Sequence, residues 1–268
     1  MTDPFQDVSA AGQDFIDTFA RQLELRAAEP VMADIVEAYL DDLPWATIEL
    51  AVDVGCGTGP VTRRMAARAP GTRIIGIEPS PDLLAHARRL AEGIGNLTFE
   101  VADGAALPLD DATVDAIVYH TVLCHVADPA RLLDEAMRVL KPGGTLVVCD
   151  ADFSKASLAG THGDPLQACA EYFTEQYVTD RHLVGKLRAL VQRAGFVTRD
   201  FRVTSRTVTD ADGMLVWVRL GSATMVERGE IGQPLADALV GEYERRKAAG
   251  TLYGHQPFAT LIASRSAR

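Results

Sequence analysis

Three glycines at alternate positions, Gly55, Gly57 and Gly59, follow a short apolar run and precede a predicted helix. Glycines at such a strand-to-helix turn let a ligand approach the backbone closely. Two carboxylates, Glu78 and Asp103, stand at the ends of the next two predicted strands. A carboxylate accepts hydrogen bonds at two oxygens. One of these two carboxylates can therefore bind the hydroxyls of a ribose, and the other carboxylate can bind a base. The pattern therefore predicts a site for a nucleoside that carries an attached chain.

The glycine turn lies in the sequence Val-Asp-Val-Gly-Cys-Gly-Thr-Gly-Pro at residues 52–60. This sequence resembles motif I of the class I S-adenosylmethionine (SAM)-dependent methyltransferases, of the type that acts on small molecules. The resemblance continues through four further segments, at residues 77–80, 102–103, 115–128 and 140–144. It implies an enzyme that transfers a methyl group from SAM and releases S-adenosylhomocysteine (SAH).

Two other interpretations of the glycine turn stay open. A dinucleotide-binding turn has the pattern G-x-G-x-x-G, whose third glycine would fall on position 60, where this chain has Pro60. A plain structural turn without a ligand is the other. The pattern G-x-G-x-G favours the SAM site over both.

The resemblance also implies roles for individual residues. The glycine turn would face the methionine part of SAM, and Asp53 would lie near its ammonium group, directly or through water. Glu78 would accept hydrogen bonds from both ribose hydroxyls, and Asp103 would accept one from the adenine amino group. The alternative for Glu78 is a solvated acid without a ligand, and the alternative for Asp103 is a residue that only stabilises a turn. Arg26 is a candidate partner for the SAM carboxylate, because arginine binds carboxylates with two donors; exposure on a helix surface is its alternative. The residues expected to bind the cofactor are Arg26, Asp53, Gly55, Gly57, Gly59, Glu78, Pro79, Asp103, Gly104 and His120.

Candidate catalytic residues follow the fourth and fifth predicted strands. The resemblance places Tyr119, His120 and Thr121 beside the sulfonium of SAM. His125 falls where many small-molecule methyltransferases carry a histidine, which in some of them is proposed as a base and in others only orders the loop. Histidine suits proton transfer because its free pKa is near neutral. Asp150 is expected to orient a histidine or to bind the acceptor, so the candidates for catalysis are His120, His125 and Asp150.

Strands and helices alternate along the middle of the chain. Such alternation predicts right-handed βαβ units, a mostly parallel sheet and a ligand site at the carboxyl ends of its strands. We therefore predict an α/β fold, a Rossmann-like, doubly wound sheet of seven strands with a helical cap; the resemblance makes the last strand antiparallel. Residues 1–45 would form part of a lid. Residues 46–268 would form the SAM-binding methyltransferase domain, with cap insertions at about residues 151–178 and 206–250.

Hydrophobic periodicity and turn residues give the position of each element. Ser80 and Asp128 are expected helix N-caps, Gly195 a helix-ending glycine, and residues 140–144 a reverse turn. The strands are predicted at residues 49–54, 73–77, 97–101, 114–119, 145–149, 196–204 and 258–263. The helices are predicted at residues 14–25, 30–40, 61–68, 81–91, 129–140, 164–177, 180–194, 210–220 and 234–248.

The net charge of −11 and the absence of a dense Lys/Arg run argue against a nucleic-acid partner. The chain also lacks the Asn/Asp-Pro-Pro-Tyr/Phe motif of methyltransferases that act on DNA bases. Four cysteines without metal-ligand spacing, Asp3 and Asp7 near the start, and no long apolar stretch predict a cytoplasmic protein. We expect it to have no signal peptide, membrane segment or metal. A homo-oligomer is compatible with the sequence.

The methyl acceptor is expected to be a small, partly apolar molecule, methylated on oxygen, nitrogen or carbon, with secondary metabolism as one setting. Aromatic residues of the predicted lid are candidates for its pocket: Phe15, Phe19, Tyr172, Phe173, Tyr177, Trp217 and Tyr253. Two alternatives keep the SAM site without methyl transfer. One is another reaction, such as a cyclisation, and the other is a SAM-binding protein without catalysis.

Overall fold

The computed structural model describes residues 12–267, so residues 1–11 of the predicted lid, with Asp3 and Asp7, and residue 268 lie outside it. The strands are β1 (Leu50–Val54), β2 (Arg73–Glu78), β3 (Leu97–Val101), β4 (Val114–His120), β5 (Leu140–Ala151), β6 (Val197–Val208) and β7 (Gly254–Ser264). They form one sheet in the order β3-β2-β1-β4-β5-β7-β6. Strands β1 to β5 pair in parallel, and β7 pairs antiparallel to both β5 and β6. The predicted Rossmann-like sheet is confirmed.

The helices are α1 (Gln13–Ala28), α2 (Pro30–Asp41), α3 (Pro60–Arg68), α4 (Pro81–Leu90), α5 (Pro129–Val139), α6 (Pro165–Tyr177), α7 (Leu183–Arg193), α8 (Leu215–Glu227) and α9 (Gln233–Ala248). The predicted caps are present. Ser80 Oγ accepts from the N–H of Leu83 (3.3 Å), and Asp128 Oδ1 accepts from the N–H of Ala130 (3.2 Å). Gly195 follows the end of α7 with φ +91°, a conformation that favours glycine.

Strands β6 and β7 extend beyond their predicted ends by four residues each, from 204 to 208 and from 258 to 254. They pair with each other along this added length, with Arg206 opposite Gln256. Most residues of β6 are at least partly exposed, so a hydrophobic pattern underestimates its length. The longer strand delays the next helix: α8 covers Leu215–Glu227, not the predicted residues 210–220.

Residues 140–144, predicted as a reverse turn, instead begin β5. The start of the strand is irregular, because its register with β4 shifts and Gly143 has φ +82°. The N–H of Gly143 donates to the carbonyl of Arg265, and the N–H of Arg265 donates to the carbonyl of Gly144, both at 3.0 Å. This pairing with the residue after β7 makes the segment a bulged strand.

The carboxyl ends of the parallel strands meet at one edge of the sheet. Strands β1, β2 and β4 are almost wholly buried, as parallel strands covered by helices on both faces are. Because β7 is antiparallel to both of its neighbours, its amino-terminal end and the carboxyl end of β6 lie at this same edge. Loops and helices from both halves of the chain therefore converge there.

Helix α1 lies over the turn between β1 and α3. Its Glu24 carboxylate accepts from the Thr58 hydroxyl (2.6 Å) and from the Arg63 guanidinium (2.7 Å). Helix α8 packs against both α6 and α9. None of the helices in the described range has the length and apolar character needed to span a bilayer.

Candidate cofactor and acceptor site

A cavity of about 830 Å³ lies at the carboxyl edge of the sheet. Its volume is within the range of small-molecule sites. Nine of the ten residues predicted to bind the cofactor line it: Arg26, Asp53, Gly55, Gly57, Glu78, Pro79, Asp103, Gly104 and His120. Within residues 12–267, no group of three or more His, Cys, Asp or Glu side chains is arranged to hold a metal ion.

The first two glycines of the turn are required by close approach. Gly55 has φ +71°, and a Cβ built on it would lie 2.6 Å from the side chain of Val122. Gly57 has φ +55°, and a Cβ there would lie 2.9 Å from Leu23 of α1. Any other residue at either position would be strained and would occupy space at the cavity wall.

Gly59, the remaining residue of the predicted set, does not line the cavity. It is the N-cap of α3 with φ +76°, and a Cβ there would lie 2.8 Å from the ring of Phe99. The structure therefore gives this glycine a packing role beneath the turn.

Backbone N–H groups hold both predicted nucleoside-binding carboxylates. Glu78 is 7% exposed at the end of β2, where Oε2 accepts from Gly57 and Oε1 from Ser80, each at 3.1 Å. Burial raises the pKa of Glu78, and these two hydrogen bonds oppose the shift. Asp103 is exposed, and its Oδ1 accepts from the N–H of Ala105 (2.9 Å). Both side chains are thus fixed at the cavity wall.

The carboxyl group of Asp53 is buried beneath the glycine turn, at 1% exposure. Its Oδ2 accepts from the hydroxyl of Thr62 (2.6 Å). Burial raises the pKa of Asp53 to about 7. At neutral pH the group is therefore divided between its protonated and ionised forms, and a bound cation would favour the ionised form.

Of the three residues predicted at the end of β4, His120 and Thr121 line the cavity. Arg26 Nη2 donates to the hydroxyl of Thr121 (2.9 Å), and Thr121 holds a left-handed backbone with φ +56°, uncommon for a residue with a side chain. His120 Nδ1 lies 3.1 Å from the Tyr39 hydroxyl. Burial, with a contribution from Arg26, lowers the pKa of His120 to about 3. Tyr119, expected beside them, does not line the cavity; it is fully buried, and its hydroxyl donates to a backbone carbonyl of α5.

His125 and Asp150 take different places. His125 lines the cavity from a short 3-10 turn after β4, with its ring edge-on to Phe153 at a centroid distance of 6.1 Å. Asp150 is fully buried and accepts from the N–H groups of Cys124 (3.3 Å) and Ala151 (3.1 Å). Of its two predicted roles, this geometry favours orientation of the turn that carries His125 over contact with an acceptor.

Stacked aromatic rings form another part of the wall. Phe173 and Trp217 have centroids 5.0 Å apart and an interplanar angle of 11°, and Phe153 lies 5.7 Å from Trp217. Of the aromatic residues predicted for the pocket, those that line the cavity are Phe15, Phe19, Phe173 and Trp217. The three predicted tyrosines do not line it, and Phe153 was missed by the sequence analysis.

A buried polar cluster in the wall was also missed. Arg206 is 1% exposed and donates to Glu29 through Nε (2.6 Å) and Nη2 (2.7 Å), and to Gln256 Oε1 through Nη1 (2.9 Å). All three residues line the cavity. The fold topology could have indicated part of this cluster. An antiparallel last strand begins at the edge of the sheet where the parallel strands end, so residues near its start, such as Gln256, lie near the site.

A family model described as a methyltransferase domain matches residues 52–148. A demethylmenaquinone methyltransferase of Tropheryma whipplei is 31% identical over 189 residues, which are 61% of this chain and 77% of that protein. The chain belongs to the class I SAM-dependent methyltransferases. The family predicted from the glycine turn and its downstream carboxylates is thereby confirmed.

The chain has further relatives. An uncharacterized 37.1 kDa protein in a transposon of Streptomyces fradiae is 33% identical over 183 residues, which are 68% of this chain. The chain spans about half of that relative, 51% of its length. A solved structure of Haemonchus contortus phosphoethanolamine N-methyltransferase 2 with SAM has a TM-score of 0.54 and 18% identity, covering 87% of this chain and 52% of that one. It has the same fold.

Proposed function

We propose that the cavity binds SAM at the glycine turn and that the protein transfers the methyl group to a small, partly apolar molecule. The observation that supports this proposal is the chemical division of the cavity. The carboxylates of Asp53, Glu78 and Asp103 belong to β1, β2 and the loop after β3, on one side of β4. Phe153 follows β5, on the other side of β4, and its ring lies 5.7 Å from that of Trp217. A cationic cofactor suits the first side and an apolar acceptor the second.

The residues at the glycine turn fit the cofactor. The side-chain-free turn leaves room for the methionine part, and Glu78 lies at the end of the neighbouring strand to accept from the ribose hydroxyls. Asp103 accepts from the adenine amino group, Asp53 lies near the ammonium group, and Arg26 pairs with the carboxylate. When bound, SAM supplies an electrophilic methyl group on a sulfonium.

Helix α1 and the segment at residues 209–250, after the end of β6, form the lid in this proposal. The bonds from Glu24 to Thr58 and Arg63 hold α1 against the glycine turn. Helix α8 contributes Trp217 and packs on α6. Closing these elements excludes water and fixes the two reactants, and positioning of this kind can supply much of the rate.

For an acceptor that must lose a proton, we assign the base to His125 rather than His120. A general base must be basic enough to take and keep the proton of the acceptor, and the pKa of His120, about 3, makes it a poor proton acceptor. His125 lies beside Phe153, on the side assigned to the acceptor. Asp150 acts through the turn, as a positioning residue.

Calorimetry with SAH and with NAD tests the cofactor assignment. Micromolar binding of SAH and none of NAD would support it, and an absence of SAH binding would contradict it. Small, partly apolar metabolites would then be screened for SAH release and for a mass gain of one methylene on the acceptor. A changed product without that mass gain, and without SAH release, would favour the non-methylating alternative.

Binding of SAM near pH 7 is expected to release protons, because Asp53, with a pKa of about 7, is partly protonated before the cation arrives. The ionised form binds the cation, so the affinity should rise as the pH increases from 6 to 7 and level off above 8. Calorimetry in buffers of different ionisation enthalpy measures the released proton. Asp53→Asn should abolish this component, and an unchanged release would refute the assignment.

Replacing His125 with glutamine is expected to lower kcat by about 100-fold or more for an acceptor that needs a base, the usual range for general base catalysis. SAH affinity should stay within about threefold, since the assigned cofactor contacts are kept. Steady-state rates on an acceptor from the screen, with His120→Gln measured in parallel, check this. Equal losses in both variants would argue against His125 as the specific base.

A further inference from the structure

The Arg206 cluster carries hydrogen-bond donors that the cofactor assignment does not use. An arginine has five N–H groups, and the bonds to Glu29 and Gln256 use three of them. One N–H remains on each terminal nitrogen of Arg206. Because Gln256 accepts through Oε1, both N–H groups of its amide remain as well. Within the described chain, none of these four N–H groups makes a hydrogen bond.

The guanidinium of Arg206 lies so close to Gly213 that this position has no room for a side chain. A Cβ at Gly213 would overlap the guanidinium of Arg206 and would lie 2.5 Å from Glu29 Oε1. Glu29 fixes two nitrogens of Arg206 with a fork-to-fork pair, and Gln256 fixes the third. The cluster is therefore rigid, almost fully buried at Arg206 and Gln256, and rich in donors toward the cavity.

Buried N–H groups without hydrogen-bond partners are energetically costly. A buried wall with several such groups therefore favours a ligand whose oxygen atoms accept their hydrogen bonds. We propose that Arg206 and Gln256 recognise a carboxylate on the methyl acceptor, whose flat apolar body lies against Phe153 and Trp217. This step rests on the proposed function for the presence of an acceptor. A carboxylate has two oxygens that accept hydrogen bonds, so it matches the paired N–H donors of Arg206 and Gln256 better than a neutral alcohol does.

Two probes of one shape test the proposal: 2-naphthoate and 2-naphthylmethanol, titrated by calorimetry into the full chain with and without SAH. We expect the wild type to bind naphthoate at least about 10-fold more tightly than the alcohol. Gln256→Leu and Arg206→Lys should each reduce this preference below about threefold and leave SAH affinity unchanged. Arg202→Lys is the matched control, since Arg202 lies on the same strand and pairs with Asp42 and Asp200 outside the cavity.

Three results would overturn the assignment: equal affinity for the two probes, no binding of either, or a preference that survives both substitutions. A protein that binds SAH but shows any of them keeps the proposed function and loses the carboxylate site. A failure of SAH binding would instead count against the proposed function. The titration without SAH would then still decide whether the carboxylate site exists.

Discussion

Replacing Glu78 with glutamine is expected to weaken SAH binding by about 100-fold. In the proposed site the carboxylate accepts from two ribose hydroxyls, and hydrogen bonds to a charged group contribute about 1.5–3 kcal/mol each. Glutamine keeps the shape but turns one acceptor into a donor. In Glu78 the two carboxylate oxygens accept from the N–H groups of Gly57 and Ser80. The amide NH₂ of glutamine would place a donor against one of these N–H groups, which would lose its hydrogen bond. Calorimetry with SAH measures the loss.

Glu100→Gln is the control for this substitution. Glu100 lies on β3, opposite Ile77 in the register, and is outside the cavity wall. It carries the same change of charge, so it separates a local contact from the overall field of an acidic protein. Its SAH affinity should stay within about threefold. If Glu78→Gln bound SAH as tightly as the control, the ribose assignment would be wrong.

The part of the cavity at the glycine turn, which we assign to the cofactor, could be predicted from the sequence because local constraints determine it. Parallel strands buried on both faces leave nearly continuous apolar runs, which locate the ends of β1, β2 and β4 to within one residue. The glycine turn is equally local, since positive φ and close packing at Gly55 and Gly57 exclude other residues. Topology then brings Glu78 and Asp103 to the same edge without any knowledge of side-chain contacts.

The part of the cavity that we assign to the methyl acceptor depends on contacts between distant residues. Arg206 meets Glu29 across 177 positions and Gln256 across 50, and no periodic pattern records such a pairing. Because the edge strand β6 is mostly exposed, the hydrophobic pattern predicted a strand that was too short. Arg206 was therefore assigned to a predicted cap insertion instead of to the strand. The lowered pKa of His120 is also a nonlocal property, because burial and the charge of Arg26 on α1 cause it.

Arg206→Met is expected to destabilise the protein by about 3–5 kcal/mol, because removing one partner of a buried ion pair leaves the other charge uncompensated. The side chains of Arg206 and Glu29 are only 1% and 16% exposed, so water screens the pair little. In a chain of this size the loss corresponds to a fall in Tm of roughly 10 °C, by calorimetry or circular dichroism. Arg202→Met, which breaks two pairs among side chains that are 33%, 43% and 45% exposed, should cost less than about 1 kcal/mol for each pair.

The double variant Glu29→Gln/Arg206→Met separates the two sources of this loss. If the cost comes from a stranded carboxylate, neutralising Glu29 should recover a large part of the fall in Tm, because a neutral amide needs no counter-charge. If it comes from lost packing around the arginine stem, the double variant should be no more stable than Arg206→Met. The double variant could recover its Tm and still bind naphthoate no more tightly than the alcohol. That result would show that the fold is stable without the Arg206–Glu29 pair and that the pair serves recognition of the methyl acceptor.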